Sequence, residues 1–310
     1  MPLSPPPTSF SARNGLIPLP PGQALVMGIV NINDDSFSGD GTLDPDRALA
    51  IAADHLAAGA DIIDAGAESA RTNRGPISID EEIRRLIPFI EGFASLVGSP
   101  SVDGFRSNRV GSAMQPCSIG TGRLWPPLLS INTWRSEVIE AVLPIGGDLV
   151  NDISGLPDAR NAELCARHGA GLLIMHTVGP PKVPHTHQRW DDPIGAIDAF
   201  FEQKIALATS AGLNPESIIL DPGIDFAKQR DDNLAIYRHL DRFHRFGRPI
   251  LLPVSRKTVI GDVLGIANPS ERDAGTVACV VRGARLGAHI FRVHNVAAAV
   301  QALRVVEALA

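Results

Sequence analysis

Short, nearly uninterrupted apolar runs alternate along this chain with longer segments whose apolar residues recur at helical spacing. Eight runs show the first pattern, at 25–30, 61–65, 128–131, 148–151, 171–175, 217–220, 249–254 and 289–293. Each is apolar at consecutive rather than alternate positions, as expected of parallel strands covered on both faces. Eight helical segments follow them in turn, at 46–58, 79–96, 136–145, 160–168, 193–211, 232–246, 271–286 and 296–309. Asp44 and Pro45 punctuate the start of the first, and Gly59, Gly169 and Gly212 stand where left-handed C-terminal caps belong. Eight strand–helix units over roughly 280 residues predict a TIM (β/α)8 barrel. A doubly wound open sheet is the alternative that periodicity leaves open.

Two stretches fall outside this rhythm. Residues 1–22 are rich in Pro and Ser and have no hydrophobic period, which predicts a mobile N-terminal tail ahead of a barrel spanning 23–310. Residues 98–127 are too long and too rich in Gly, Ser and Pro for an ordinary connection. They predict an inserted loop between the second helix and the third strand. A barrel places such a loop on its N-terminal face, which favours a structural or interaction role over a catalytic one.

Composition narrows the function classes. With 44% hydrophobic residues in 310, the chain has ample material for a core. A formal net charge of −6 and no cluster of Lys and Arg argue against a nucleic-acid partner. Cys117, Cys165 and Cys279 are scattered without metal-ligand spacing and are expected as free thiols. No signal-peptide pattern or membrane-length apolar segment stands in the sequence, so a cytoplasmic protein with no membrane partner is expected.

Polar residues stand at every strand exit, where side chains converge on the mouth of a barrel. They are Asn31; Glu68 and Arg71; Asn132 and Arg135; Asn151 and Asp152; His176; Asp221; Ser255, Arg256 and Lys257; Arg292 and His294. Singly, each has a structural explanation as a helix cap or an ion pair. Gathered at one rim, amide and carboxylate acceptors beside Lys, Arg and His suit a small polar heteroaromatic ligand carrying an anion. Arg292 and His294, just before the last helix, suit the anion.

Seven ordered motifs then name a family. Residues 27–41, MGIVNINDDSFSGDG, and 59–71, GADIIDAGAESAR, resemble the two signatures of dihydropteroate synthase. The resemblance continues through DLVNDISG at 148–155, LIMH at 173–176, LDPGIDFAK at 220–228, SRK at 255–257 with GT at 275–276, and RVHNV at 292–296. It implies a homodimeric TIM barrel that joins a dihydropterin pyrophosphate to para-aminobenzoate with the help of Mg2+, and that accepts sulfonamide- or sulfone-like ligands. By motif position, Asn31 belongs at the metal, with Arg292 and His294 on the pyrophosphate. Asn132, Asn151, Asp221 and Lys257 would read the pterin. Phe226, Lys257 and Thr258 would border the second substrate. The resemblance assigns catalysis to Asp35, Arg71, Asp221 and Lys257, the first two on loops that close over the site.

Departures from the family pattern concentrate in the same mouth. Asn132 stands for an aspartate, Pro253 for a glycine, Asp225 and Ala227 for the glycines of LDPGxGFxK, and Asn295 for the aspartate of RVHDV. The first two signature loops read NDDSFSGDG and ARTN in place of TPDSFSDGG and TRPG. An amide at 132 removes a charge and would turn an NH2 toward the pterin's own donors. The expectation is a divergent, second synthase-like copy with low affinity for the pterin pyrophosphate and weak or no synthase activity. The competing readings are a working synthase of folate biosynthesis and a pterin-binding methyltransferase, against which the SRK and RVH motifs count.

Overall fold

The computed structural model describes residues 6–13, 15–34, 41–70, 72, 74–98 and 125–310. All eight apolar runs are strands of one parallel sheet: β3 (Leu25–Asn31), β4 (Ile62–Gly66), β5 (Leu128–Asn132), β6 (Leu149–Asp152), β7 (Gly171–Met175), β8 (Ile218–Asp221), β9 (Leu251–Pro253) and β10 (Ile290–Val293). Each pairs with its neighbours in sequence, and β10 returns to β3, so the sheet curls on itself. The Leu220–Ile250 bridge closes the seam between β8 and β9, with the Leu220 amide donating to Pro249 O at 2.9 Å. This closure excludes the open sheet.

Helices α1 (Pro45–Ala57), α2 (Ile79–Gly98), α3 (Ser136–Val142), α4 (Arg160–His168), α5 (Pro193–Ser210), α6 (Arg230–His239), α8 (Asp273–Arg285) and α9 (Val296–Ala308) surround it. An additional helix of 7 residues, α7 (Thr258–Leu264), follows β9 directly. No helix among the described residues is long and apolar enough to cross a membrane.

The continuous apolar runs resolve into two faces of period two. Val26, Ile63, Leu129, Val150, Leu172, Leu220, Leu252 and Phe291 point outward and pack beneath the helices. Leu25, Met27, Ile62, Leu128, Leu149, Leu173, Ile219, Leu251 and Ile290 point inward and fill the lower barrel. Two residues further along, the same inward face carries Asp64, Ser130, Asn151, Asp221 and Arg292. The polar mouth is therefore the top layer of the apolar core, positioned by strand parity.

The N-terminal segment corrects an expectation. Within residues 1–22, taken from sequence as a mobile tail, β1 (Ser9–Ala12) and β2 (Gly15–Pro18) form an antiparallel hairpin with Phe10 opposite Ile17. Phe10, Ala12, Ile17 and Leu19 join the inner cluster with Leu25, Leu128 and Leu149, and so stop the N-terminal end of the barrel. The Arg13 guanidinium ties the hairpin to Leu143 O. Four-residue strands rich in Ser and Pro carry too little hydrophobic signal to be read without the cavity they fill. Of the expected inserted loop, residues 99–124 and with them Cys117 lie outside the described residues; Trp125, where the chain returns, is buried against the same inner cluster. Cys165 and Cys279 are free thiols, the first buried.

If the hairpin is a structural plug, Phe10→Ala, at a fully buried site, costs about 3–5 kcal/mol. Thermal unfolding is expected to show a clear drop in Tm; an unchanged Tm would return the segment to the status of a tail.

Candidate functional site

The mouth is organised around one fully buried carboxylate. Asp64 accepts hydrogen bonds from Ser130 Oγ at 2.6 Å, Asn132 Nδ2 at 3.0 Å, Asn151 Nδ2 at 3.2 Å and Arg292 Nε at 2.7 Å. These donors come from β5, β6 and β10, on both sides of β4. An ionised carboxylate only accepts, so it obliges both amides to turn their NH2 groups toward it. Two consequences follow for the cavity above. Asn132 has its oxygen left to offer a ligand, and Asn151 Oδ1 is a buried acceptor with no partner among the described residues. The expectation that Asn132 would present an NH2 to a bound ring is thus corrected: that NH2 is committed to Asp64.

Above this floor lies a cavity of about 570 Å3, lined by Asn31, Asn132, Asn151, Asp221, Phe226, Lys257, Thr258, Arg292 and His294 among others. Every residue that the family resemblance assigns to the site and that is described borders this space. Asp35 and Arg71 lie outside the described residues. Ser255 Oγ holds His294 by its backbone N–H at 3.1 Å and by its ring Nδ1 at 2.8 Å, which fixes the imidazole beside Arg292. Asp221 is buried at the end of β8, where its carboxylate accepts from Gly223 N–H at 2.7 Å. Burial pushes its carboxyl up to about 6, against the pull of that bond and of Lys257, Lys228 and Arg292.

The loop after β8 forms a second wall. Lys257 Nζ donates to Ile224 O at 3.0 Å and lies 5.1 Å over the Phe226 ring; burial pulls its pKa down, opposed by Asp225 and Asp221. Asp225 accepts from the backbone N–H groups of Thr258 and, at 3.3 Å, Val259, capping α7. Asp225 and Ala227 both adopt positive φ, 69° and 50°, the conformation that favours glycine. Asn233 brackets Asp225, accepting from its N–H at 2.8 Å and donating to its carboxylate at 3.2 Å, while Trp190 Nε1 donates to Ala227 O at 2.8 Å.

Several polar strand exits serve structure instead. Arg135 bridges Glu68 and Glu82 at 2.7 and 2.8 Å. Asp152, on the outward parity of Val150, accepts from Asn161 at 3.0 Å, and Arg256 pairs with Asp273 at 2.8 Å. His176 Nδ1 accepts from Lys228 Nζ at 2.8 Å; burial, with the nearby Lys228 charge, lowers its pKa to about 2 and keeps it neutral. Glu68 does border the cavity, where Lys182 of the loop after β7 also pairs with it at 3.1 Å.

Known proteins match the chain over nearly its whole length. A family model described as pterin binding enzyme covers residues 27–121 and 121–294. Dihydropteroate synthase of Escherichia coli strain K12 is 36% identical over 287 residues, which are 91% of this chain and 90% of that one. The chain belongs to the pterin-binding enzyme family.

Its relatives include both outcomes weighed from sequence. A Yersinia pestis dihydropteroate synthase in complex with a sulfonamide drug superposes with a TM-score of 0.80 at 32% identity, covering 97% of this chain and 98% of the other. An inactive dihydropteroate synthase 2 of Mycobacterium bovis is 34% identical over 301 residues, 94% of this chain and 85% of that one.

Asp64 is the site residue that sequence reading missed. It lies inside the apolar run at 61–65 and shares the inward parity of Ile62, so it faces the barrel axis. Lys228 was overlooked as well: it is buried beside the cavity, lowered to about 7 by burial, and donates to Phe226 O at 3.0 Å.

Asp221 carries a pH test. A carboxylate raised from 3.8 to about 6 in the folded chain destabilises it once ionised, so the penalty is absent below about pH 4 and complete above pH 6. Asp221→Asn is therefore expected to raise stability at pH 8, on the order of 2–3 kcal/mol, and to leave it unchanged near pH 4. Urea denaturation at the two pH values checks this; equal effects at both would contradict the burial argument.

Proposed function

We propose that the chain binds a pterin carrying a pyrophosphate arm, in the manner of dihydropteroate synthase, and transfers it only weakly to para-aminobenzoate. The buried, unpartnered Asn151 Oδ1 carries the first half of this reading. An orphan acceptor at this depth costs about 1–3 kcal/mol unless a ligand donor meets it. With Asn132 Oδ1 and Asp221 it makes a set of acceptors suited to the N–H groups of a pterin ring. Arg292 and His294 offer positive charge and a donor to the leaving pyrophosphate, and Asn31 stands beside them on the lining. Among the described residues no group of three or more His, Cys, Asp or Glu could hold a metal ion. That donor set fits Mg2+ only as an ion carried largely by phosphate oxygens and water, with Asn31 supplying one oxygen. When bound there, Mg2+ would add positive charge on the leaving group.

The reaction so supported breaks the bond between the pterin methylene and the pyrophosphate oxygen and forms one from that carbon to the arylamine nitrogen, which then loses a proton. Arg292 and His294 stabilise the charge that leaves; Asp221 faces the positive charge that develops on the pterin. Weakness toward para-aminobenzoate rests on the second wall, where Asp225 adds negative charge and bulk beside Lys257 and Thr258.

A working synthase is the second reading, and one observation favours it. The change to Asn132 leaves the ligand an acceptor rather than a donor, so the floor keeps the character a pterin needs.

Calorimetric titration with 6-hydroxymethyl-7,8-dihydropterin pyrophosphate and Mg2+ is expected to show saturable binding. Asn151→Leu should weaken it by at least about tenfold, or 1.4 kcal/mol. No binding to wild-type protein would overturn the pterin assignment. Adding para-aminobenzoate then separates the two readings, slow or absent product supporting the first and efficient product the second.

A further inference from the structure

Residues 225–228 with Lys257 and Thr258 form one wall of the cavity. Its donors are the Lys257 ammonium and the Thr258 hydroxyl and amide, which line the cavity, and behind them the amide of buried Val259. A ligand carboxylate arriving at this wall would meet them first. Both amides are already engaged, and the ammonium is engaged in part. Asp225 accepts from both amides, and Lys257 Nζ donates to Ile224 O at 3.0 Å. The Lys257 charge is also opposed by two carboxylates, those of Asp225 and Asp221.

Asp225 is held firmly in that position. Its backbone sits at φ 69°, where Asp and Asn are the non-glycine residues best tolerated. Asn233, only 2% exposed, secures both its N–H and its carboxylate. The carboxylate therefore cannot swing aside without abandoning hydrogen bonds from three residues. An incoming carboxylate would meet a fixed like charge that already holds both amides, and like charges within ~4–6 Å disfavour each other.

Building on the pterin reading above, we propose that Asp225 is a specificity-determining residue: its carboxylate takes the place of a substrate carboxylate on the 257–259 wall, so the second substrate is an uncharged aromatic amine. Phe226 and the Lys257 stem give such an amine an aromatic face and an alkyl surface to lie against. Asp225 need not touch the reacting atoms; it sets the charge that the outer cavity accepts.

The test uses the full chain, saturated with 6-hydroxymethylpterin, pyrophosphate and Mg2+, and titrated separately with 4-aminobenzoate and 4-aminobenzamide. Wild-type protein is expected to bind the amide at least about tenfold more tightly than the benzoate. Asp225→Asn removes the charge while tolerating positive φ, and Asp225→Gly removes the side chain altogether; each should shift the affinity ratio at least about tenfold toward the benzoate. If Asp225→Gly does not fold, Asp225→Asn decides. A wild-type preference for the benzoate, binding of neither amine, or a ratio that Asp225→Asn leaves unchanged overturns the proposal. Titration of the pterin alone keeps the two readings apart. Loss of pterin binding defeats the parent reading and this one together, whereas pterin binding with an unmoved amine ratio defeats only the role of Asp225.

Discussion

A single buried carboxylate determines how the mouth of this barrel presents itself. Asp64 has no exposure to water and draws its hydrogen bonds from three neighbouring elements. A charge in that position is tolerable only when paired and fully hydrogen-bonded, and Arg292 supplies the pairing at 2.7 Å. The guanidinium is thereby aimed by its own partner, leaving its remaining N–H groups for an anion. The same carboxylate orients the amides of Asn132 and Asn151, so that acceptors face the cavity. Donor and acceptor pattern at the ligand surface is thus inherited from one strand position beneath it.

That inheritance explains what could be read from sequence. Eight apolar runs and eight helical periods were sufficient for the barrel, because burial on both faces leaves a continuous signature. The residues that line the mouth were legible as polar strand exits and through the family motifs. Asp64 was not, because it lies inside a strand rather than at its exit, and only the parity set by Ile62 and Ile63 shows that it faces inward. The N-terminal hairpin was hidden for a different reason. Its four-residue strands acquire meaning from the open end of the barrel that they fill. Arg135, Asp152, His176 and Arg256 looked like site residues for want of their partners, Glu68 and Glu82, Asn161, Lys228 and Asp273.

Departures from the family pattern prove to be accommodated as local units. Asp225 and Ala227 occupy left-handed backbone that ordinarily costs of order 1–3 kcal/mol, and bonds from Asn233 and Trp190 hold each in place. Asn295 caps α9 by accepting from Ala298 N–H at 3.1 Å and donates to Asp273 Oδ2 at 3.0 Å, where an aspartate would place two carboxylates together. Pro253 falls near the weakest seam of the sheet: β8 and β9 meet through the single Leu220–Ile250 bridge, and a residue without an N–H cannot extend the ladder. Each of these changes, all among the described residues, is matched to its surroundings.

The retained residues then become the informative ones. Asp221 is raised to about 6 by burial and so weakens the fold whenever it is ionised. An asparagine there could keep the bond from Gly223 without that penalty. Asn151 likewise retains a buried acceptor that nothing in the described structure satisfies. Both costs are removed by the same event, the arrival of a ligand whose N–H groups reach the floor. A barrel maintained only as a scaffold would gain by losing these groups. Their presence beneath a second wall altered in charge separates the two halves of the cavity: the floor is built for a ring donor, and the partner of that ring is selected elsewhere, at the wall carrying Asp225.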